Sequence, residues 1–285
     1  SSVAQNALNQ ALKSKPAPLY KKEFASRISV GNLEDDFEKI KDADWIIEVV
    51  VERLDIKQQL FEKVEKFRKV GSIVSSNTSS IPISQLSQGR SEEFKKHFCG
   101  THFFNPPRYL RLLEIIPTAE TQPELVDFFM HFGEINLGKQ TVLCKDTPAF
   151  IANRIGVMSG VKVFDLTQQY DLTIEEVDAL TGALIGRPNT GTYRLQDLVG
   201  LDTGEKVTQF VVNNVENDSF FESLGKAPET KFMTFLLENN FLGNKSGKGF
   251  YHKTDKKDQN GKTIINALDL KTLEYKPSVR PKNPI

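Results

Sequence analysis

The sequence predicts an α/β domain with a parallel sheet, followed by a domain made of helices. Up to residue 144, short apolar runs alternate with segments whose apolar residues recur at helical spacing. The run Trp45–Val51 is apolar at nearly every position, which is typical of a parallel strand covered by helices on both faces. From Phe150 to Asn239 the patterns are helical. The alternation in the first part indicates a doubly wound sheet.

Helices in the first part are recognised by apolar residues three or four positions apart, and strands by short apolar runs that end at turn residues. In the clearest helix, Ile56, Leu60 and Val64 share one face, and Gly71 follows its end. The predicted helices cover residues 4–14, 37–41, 55–68 and 123–132. The predicted strands cover residues 27–30, 45–51, 73–75, 98–104, 112–116 and 141–144.

The second part begins near CKDTPAFIANR, where Asp146 or Thr147 is a candidate N-cap and Pro148 suits a first helical turn. Its predicted helices cover residues 150–169, 174–184, 203–217 and 229–239. The Gly-rich stretch 243–251 is compatible with a phosphate-contacting loop or with a plain turn.

The last part of the chain is more polar. Residues 264–275 suggest a strand or hairpin, but the final ten residues, KPSVRPKNPI, contain three prolines and no core-forming run. We therefore predict three regions: a sheet domain over 1–146, a helical domain over 147–252, and a linker or connector over 253–285.

Composition excludes several classes of protein. The 37 Lys and Arg residues balance 37 Asp and Glu residues, which argues against nucleic-acid binding driven by bulk charge. No apolar run approaches the roughly 18 residues that a membrane span needs. Cys99 and Cys144 lie in predicted strands, so buried free thiols in a reducing cytoplasm are the expectation, and we expect no metal site.

Polar residues that can carry chemistry collect between Ser75 and Glu114. Hydroxyl groups follow one predicted strand, His102 lies near the end of the next, and Glu114 lies within a third. Open α/β sheets place their sites outside the carboxyl ends of the strands, so these groups can converge. A carboxylate beside an imidazole holds a general base in one tautomer. The alternative, which spacing does not exclude, is a core histidine and a solvated strand carboxylate.

One expected feature is absent from the sequence. A dinucleotide fold needs a Gly-rich turn between its first strand and first helix to seat the pyrophosphate, and no G-x-G-x-x-G occurs here. Either the chain is part of a longer protein, or it lacks a working dinucleotide site. We favour the first explanation.

Seven motifs occur in one order between residues 45 and 251: WIIEVVVERLDIK, IVSSNTSS, GTHFFNPP with LLEII, CKDTPAFIANR, IGRP, DLVGLDT and GKGFY. In these motifs the chain resembles the L-3-hydroxyacyl-CoA dehydrogenase family, including the dehydrogenase portion of multifunctional bacterial fatty-acid oxidation proteins. The resemblance implies a Rossmann domain, here without its N-terminal Gly-rich βα unit, and a helical domain that forms homodimers. It implies oxidation of L-3-hydroxyacyl-CoA to 3-oxoacyl-CoA with NAD in β-oxidation. It also implies that the segment after Tyr251 connects to further domains, such as an enoyl-CoA hydratase module.

The resemblance also assigns roles to residues. His102 matches the catalytic base, Glu114 its carboxylate partner, Ser79 a substrate contact and Asn153 the fourth polar group of the active site. The residues that match cofactor contacts are Glu52 and Lys57 near the ribose and phosphates, Asn77 and Asn105 near the nicotinamide, and, more weakly, Lys245.

Other interpretations stay open at this point. Glu52 is also compatible with an ordinary strand-end charge, and Lys57 with a solvated helix residue. The same fold serves as a non-enzymatic lens protein, the λ-crystallin. Joint retention of Ser79, His102, Glu114 and Asn153 argues against that role. A third alternative is a fragment that binds CoA esters without NAD.

Overall fold

The computed structural model describes residues 2–226, 230–279 and 281. The chain divides into two compact units, Ser1–Phe150 and Ile151–Ile285. Within the described residues, no helix combines the length and the apolar character that crossing a membrane requires.

The first unit contains five α-helices among its described residues: α1 (Ser2–Lys13), α2 (Leu54–Phe67), α3 (Ile83–Leu86), α4 (Glu92–Lys96) and α5 (Pro123–Ile135). Two 3-10 helices, Lys22–Arg27 and Phe37–Asp42, lie between α1 and β1. Its strands are β1 (Trp45–Glu48), β2 (Ile73–Ser76), β3 (Phe98–Phe103), β4 (Leu112–Pro117) and β5 (Gln140–Leu143). The sheet order is β1-β2-β3-β4-β5. All neighbouring strands are parallel except β3 and β4, which are antiparallel.

Both faces of this sheet are covered, because strand residues alternate between two apolar clusters. On one face Phe98 packs its ring against Phe61 and Phe94, with ring centroids 5.0 and 5.3 Å away. On the other face Cys99, a buried free thiol, packs with Phe129 of α5. Since His102 follows Phe98 by four residues along β3, its side chain lies on the Phe98 face of the sheet.

Three predictions in this unit are wrong in detail. Residues 27–30 form no strand: a 3-10 helix ends at Arg27, and the extended Ile28 has no neighbouring strand to pair with. The strand that begins at Trp45 ends at Glu48, and Val49 and Val51 are exposed. Asp146 does not cap the next long helix, because its carboxylate accepts the backbone N–H groups of Ile83 and Ser84 at the start of α3.

The second unit contains helices α6 (Ala152–Gln169), α7 (Ile174–Leu180), α8 (Tyr193–Val199), α9 (Leu201–Asn214), α10 (Ser219–Leu224) and α11 (Lys231–Glu238). Three strands follow: β6 (Tyr251–Lys257), β7 (Thr263–Leu268) and β8 (Tyr275–Pro277). Aromatic rings form the centre of the unit, where Tyr193 lies between Phe164 and Phe250 at centroid distances of 5.2 and 4.7 Å.

The predicted linker over 253–285 is wrong for its described residues up to Pro277. Strands β6, β7 and β8 form an antiparallel sheet, and Ala267 and Leu268 are buried in the core of the second unit. The sequence of this segment is polar enough to predict a linker. Only the inner face of β7 is apolar, and the charged residues of β6 stay in solvent. Of the predicted linker residues after Pro277, residue 280 and residues 282–285 lie outside the described residues.

Two carboxylates, the partly buried Asp178 and the buried Asp197, join the motifs of the second unit. Asp178 accepts the backbone N–H groups of Tyr193 and Arg194 and the hydroxyl of Tyr251. Asp197 accepts the backbone N–H group of Tyr251, at 2.8 Å.

Asp197 also explains the Gly-rich stretch 243–251. Its carboxylate accepts the backbone N–H of Phe250 at 2.8 Å, and a Cβ atom at Gly249 would clash with it. The negatively charged carboxylate of Asp197 already occupies backbone N–H groups of this loop. The geometry of the loop therefore favours a plain turn over a phosphate contact.

These two carboxylates predict a pH effect on stability. Burial raises the pKa of Asp178 and of Asp197 to about 6. An unfolded chain loses the same protons near pH 4, so between about pH 4 and pH 6 the folded state binds more protons. The stabilising contribution is therefore complete below about pH 4 and is lost as the pH rises through about 6. Carboxyl 13C NMR titration should give midpoints near 6 for both residues; midpoints near 4 would contradict this prediction.

Candidate active site

The antiparallel pairing of β3 and β4 sets His102 directly opposite Glu114. Their side chains meet on the same face of the sheet, with 2.7 Å between Nδ1 of His102 and Oε2 of Glu114. Both side chains are buried, at 7% and 1% exposure. An ionised carboxylate only accepts hydrogen bonds, so Nδ1 of the imidazole donates and Nε2 keeps its lone pair. This is the geometry of a histidine that can take a proton through Nε2.

Aromatic rings fix the plane of the imidazole. The ring of His102 lies 4.4 Å from that of Phe104 and 5.8 Å from that of Phe150, between centroids. Ala149 and Phe150 have φ values of 60° and 50°, a left-handed conformation that costs non-glycine residues about 1–2 kcal/mol. Strained backbone of this kind is often found at functional sites, and here it accompanies the ring that packs against the histidine.

The turn that follows β2, residues 77–80, reaches the same edge of the sheet. Asn77 donates its backbone N–H to the carbonyl of Glu48 at 2.9 Å, at the end of β1. Its side-chain oxygen accepts the backbone N–H of Phe103, also at 2.9 Å. Because Phe103 is the neighbour of His102, Asn77 ties the turn that carries Ser79 to the strand that carries the histidine.

Glu52 lies under this turn. One of its carboxylate oxygens, Oε1, accepts the hydroxyl of Thr78 at 2.5 Å, the backbone N–H of Ser79 at 3.0 Å and the hydroxyl of Ser80 at 3.0 Å. Burial alone would raise the pKa of Glu52, but the hydrogen bond from Thr78 and the charge of Lys57 together lower it. Glu52 is therefore held as a carboxylate that organises the turn.

Lys57 is buried, so the alternative of a solvated helix residue is wrong for it. Its side chain is 1% exposed, and its ammonium lies 2.8 Å from Glu48, 3.2 Å from Glu52 and 3.3 Å from the carbonyl of Val50. Four oxygens, two of them from Glu48, thus surround a group with three N–H donors. A direct contact with a phosphate would require it to leave this buried arrangement.

Sequence reasoning missed Glu48. Its side chain is 1% exposed, and its carboxylate accepts the hydroxyl of Ser76 at 2.6 Å as well as the Lys57 ammonium. A lone carboxylate inside the apolar run WIIEVVV was the signal that could have found it, since a buried charge needs a partner of opposite sign.

The remaining candidates are Asn105, Asn153 and Lys245. Asn105 is exposed, two residues after the end of β3. Asn153 is the second residue of α6 in the second unit. Lys245, also in the second unit, forms an ion pair with Asp202. The structure therefore pairs His102 with Glu114 and links the turn of Ser79 to β3 within the first unit. The roles of Ser79, Asn105, Asn153 and Lys245 stay predictions.

Two family models match most of the chain. One, described as 3-hydroxyacyl-CoA dehydrogenase, NAD binding domain, matches residues 2–147. The other, described as 3-hydroxyacyl-CoA dehydrogenase, C-terminal domain, matches residues 150–253.

Similar proteins agree with these models. A probable 3-hydroxyacyl-CoA dehydrogenase from Bacillus subtilis is 48% identical over 284 residues, and the match covers 100% of this chain but 35% of that protein. A probable 3-hydroxyacyl-CoA dehydrogenase from Deinococcus radiodurans is 45% identical over 252 residues, covering 88% of this chain and 71% of that protein. The crystal structure of M. tuberculosis FadB2 has a TM-score of 0.72 and 27% identity, covering 89% of this chain and 85% of that one.

These matches confirm the predicted fold class, a Rossmann-like sheet domain followed by a helical domain. They extend over both units and include Ser79, His102 and Glu114. The chain belongs to the 3-hydroxyacyl-CoA dehydrogenase family.

Proposed function

We propose that this chain is the dehydrogenase portion of an enzyme that oxidises L-3-hydroxyacyl-CoA to 3-oxoacyl-CoA with NAD in fatty-acid β-oxidation. His102 is the general base and Glu114 its partner. The observation that carries the proposal is the buried 2.7 Å hydrogen bond between Nδ1 of His102 and Glu114. Membership of the family supports the substrate class and the cofactor.

Oxidation of a secondary alcohol removes a hydride from carbon and a proton from oxygen. NAD, when bound, accepts the hydride. His102 takes the hydroxyl proton at Nε2, since a neutral imidazole is a suitable base near neutral pH. Glu114 stabilises the positive charge that the imidazole then carries. Ser79 and Asn153 are proposed to hydrogen-bond substrate oxygens and so orient the reacting carbon.

The side chains at the carboxyl ends of β1 to β3 suit the nicotinamide end of NAD. Asn77 still has amide N–H donors after its oxygen accepts the bond from Phe103. Amide donors suit a carboxamide oxygen, and carboxylates suit ribose hydroxyls. Asn77 and Asn105 are therefore proposed for the nicotinamide, and Lys245 is a further candidate. Glu52 and Lys57 remain predictions as cofactor contacts.

We also propose that the second unit forms a homodimer. Along α6 the apolar side chains of Ile155, Met158 and Leu166 recur on one face and are 55%, 42% and 45% exposed. An apolar stripe of this kind is typical of an interaction surface. Sedimentation velocity of the wild-type protein should show a dimer, and Ile155→Glu should shift the equilibrium toward the monomer. A wild-type protein that is monomeric at micromolar concentration would contradict the proposed homodimer.

The context of the chain is a further proposal. The Bacillus subtilis relative extends well beyond the matched part, which supports a longer, multidomain protein. An enoyl-CoA hydratase domain in the same polypeptide and a cytoplasmic location are proposed on this basis.

Absorbance of NADH with acetoacetyl-CoA as substrate tests the proposed reaction in the reducing direction. The full-length protein should consume NADH, and His102→Ala should not do so at a comparable rate. Separate titrations with NAD and with acetoacetyl-CoA distinguish the remaining alternatives. Binding of the CoA ester without NAD and without turnover would indicate a CoA-ester-binding protein, and binding of neither would favour a structural role.

A further inference from the structure

We propose that Phe150 is a positioning residue for the reaction, whose buried ring holds the imidazole of His102 in one orientation while Nε2 takes the substrate proton. This inference rests on the proposed function, in which His102 is the general base. It gives the left-handed backbone at Ala149 and Phe150 a task, which is to bring a ring from a distant part of the sequence against the histidine.

The first step concerns what the bond to Glu114 leaves free. That bond joins Nδ1 of His102 to Oε2 of Glu114 at 2.7 Å and sets the tautomer. One hydrogen bond holds one ring atom, and the torsion that turns an imidazole has broad minima, so the ring can still tilt about the bond. A tilt moves Nε2 away from the substrate, and a displacement of about 1 Å can lower a rate by about 100-fold. The tilt must therefore be limited by packing.

The second step concerns the rings that supply this packing. The rings of Phe104 and Phe150 lie 4.4 and 5.8 Å from the imidazole, between centroids, and are inclined to it by 51° and 57°. Phe104 is only partly buried. Phe150 is 2% exposed and belongs to the same apolar cluster as Phe94 and Phe98. Because a close-packed core leaves a ring little room to move, Phe150 is the fixed neighbour of the imidazole.

The third step concerns how the backbone of Phe150 is held. The segment that follows β5, residues 144–150, is fastened at two points of the first unit. Near its start, the carboxylate of Asp146 accepts two backbone N–H groups at the beginning of α3. Near its end, Ala149 donates its backbone N–H to the carbonyl of Ser80 at 3.3 Å. The ring of Phe150 therefore extends from a backbone that is itself fixed beside the turn 77–80.

The fourth step concerns the conformation at the end of this segment. Ala149 and Phe150 have φ values of 60° and 50°, a left-handed conformation that non-glycine residues adopt only at a cost. In this conformation Phe150 donates its backbone N–H to the carbonyl of Thr147 at 3.0 Å. Strain of this kind persists only where the surrounding contacts determine the conformation. The burial of the Phe150 ring against His102 is one of those contacts.

Phe150→Leu in the full-length enzyme tests this proposal, with Phe94→Leu as the matched control. Both changes remove a buried ring from the same apolar cluster, but the ring of Phe94 packs against Phe61 and Phe98. Phe150→Leu should lower kcat for hydroxyacyl-CoA by roughly 10-fold and change both KM values by less than about 2-fold, because it disturbs an arrangement needed in the transition state. Phe94→Leu should keep kcat within about 2-fold of wild type.

A double-mutant cycle with His102→Ala separates positioning from a general loss of packing. Once His102 has been replaced, Phe150→Leu should lower the residual kcat by less than about 2-fold, because residues that act through one another are not additive. Thermal unfolding of each variant shows whether it is folded. Phe150→Met and Phe94→Met, whose side chains are longer and more adaptable, repeat the comparison if a leucine variant does not fold.

The outcomes also separate this inference from the proposed function. An active wild-type enzyme in which Phe150→Leu loses no more kcat than Phe94→Leu would overturn only the positioning role. A loss that persists in full beside His102→Ala would overturn it too. A KM for hydroxyacyl-CoA raised by about 10-fold at unchanged kcat would make Phe150 a wall of the substrate site instead. A wild-type protein that does not turn over hydroxyacyl-CoA would remove the proposed function itself.

Discussion

Replacing His102 by alanine is expected to lower the turnover of L-3-hydroxyacyl-CoA by roughly 10²–10⁴-fold, the range typical of a general base. The imidazole is buried, fixed by Glu114 at 2.7 Å and packed between two aromatic rings, so neither water nor a neighbouring side chain can take its place in the same geometry. Steady-state kinetics with saturating NAD measures the loss, and thermal unfolding shows whether the variant is folded.

Glu114→Gln is the matched variant for this experiment. A glutamine fills the same space beside the imidazole but carries no charge, and its amide group can donate to Nδ1 and thereby favour the wrong tautomer. Turnover should fall by roughly 10-fold or more, but less than in His102→Ala. If His102→Ala works at full speed, the base lies elsewhere and the proposed mechanism is wrong.

The pairing of His102 with Glu114 could be anticipated from the sequence because both residues lie in short apolar runs with clear ends. A strand places alternate residues on one face, and antiparallel pairing sets two such residues opposite each other. What the sequence did not specify was that β3 and β4 are antiparallel in an otherwise parallel sheet. That reversal is what makes the two side chains direct neighbours.

The environment of Lys57 could not be predicted in the same way. A lysine on an amphipathic helix is solvated in most proteins, and its burial depends on Glu48 and Glu52, which approach it only after β1 and α2 have packed. Residues 264–275 suggested a strand or hairpin, but the full extent of the sheet at 251–277 was missed for a related reason. Its apolar face is too short to stand out in the sequence, and it is stabilised by contacts with the core of the second unit.

Lys57→Met is expected to lower the free energy of unfolding by about 3–5 kcal/mol, the usual effect of breaking a buried ion pair from one side. Methionine fills a similar volume but leaves the carboxylate of Glu48, which is 1% exposed, without its counter-charge. The hydroxyl of Ser76 and the backbone N–H of Val50 still donate to that carboxylate, yet neither carries a charge. Urea unfolding at neutral pH measures the difference.

Lys66→Met supplies the control, because it makes the same chemical change on the same helix. Lys66 is 65% exposed and pairs with Glu62 one turn away, a surface interaction worth about 0–1 kcal/mol. If both variants lose less than about 1 kcal/mol, the buried pair of Lys57 and Glu48 contributes no more to stability than a surface pair, and this prediction is wrong. A large loss in Lys57→Met alone means that the stability of the first unit depends on one buried charge, which Glu48 neutralises from the end of β1.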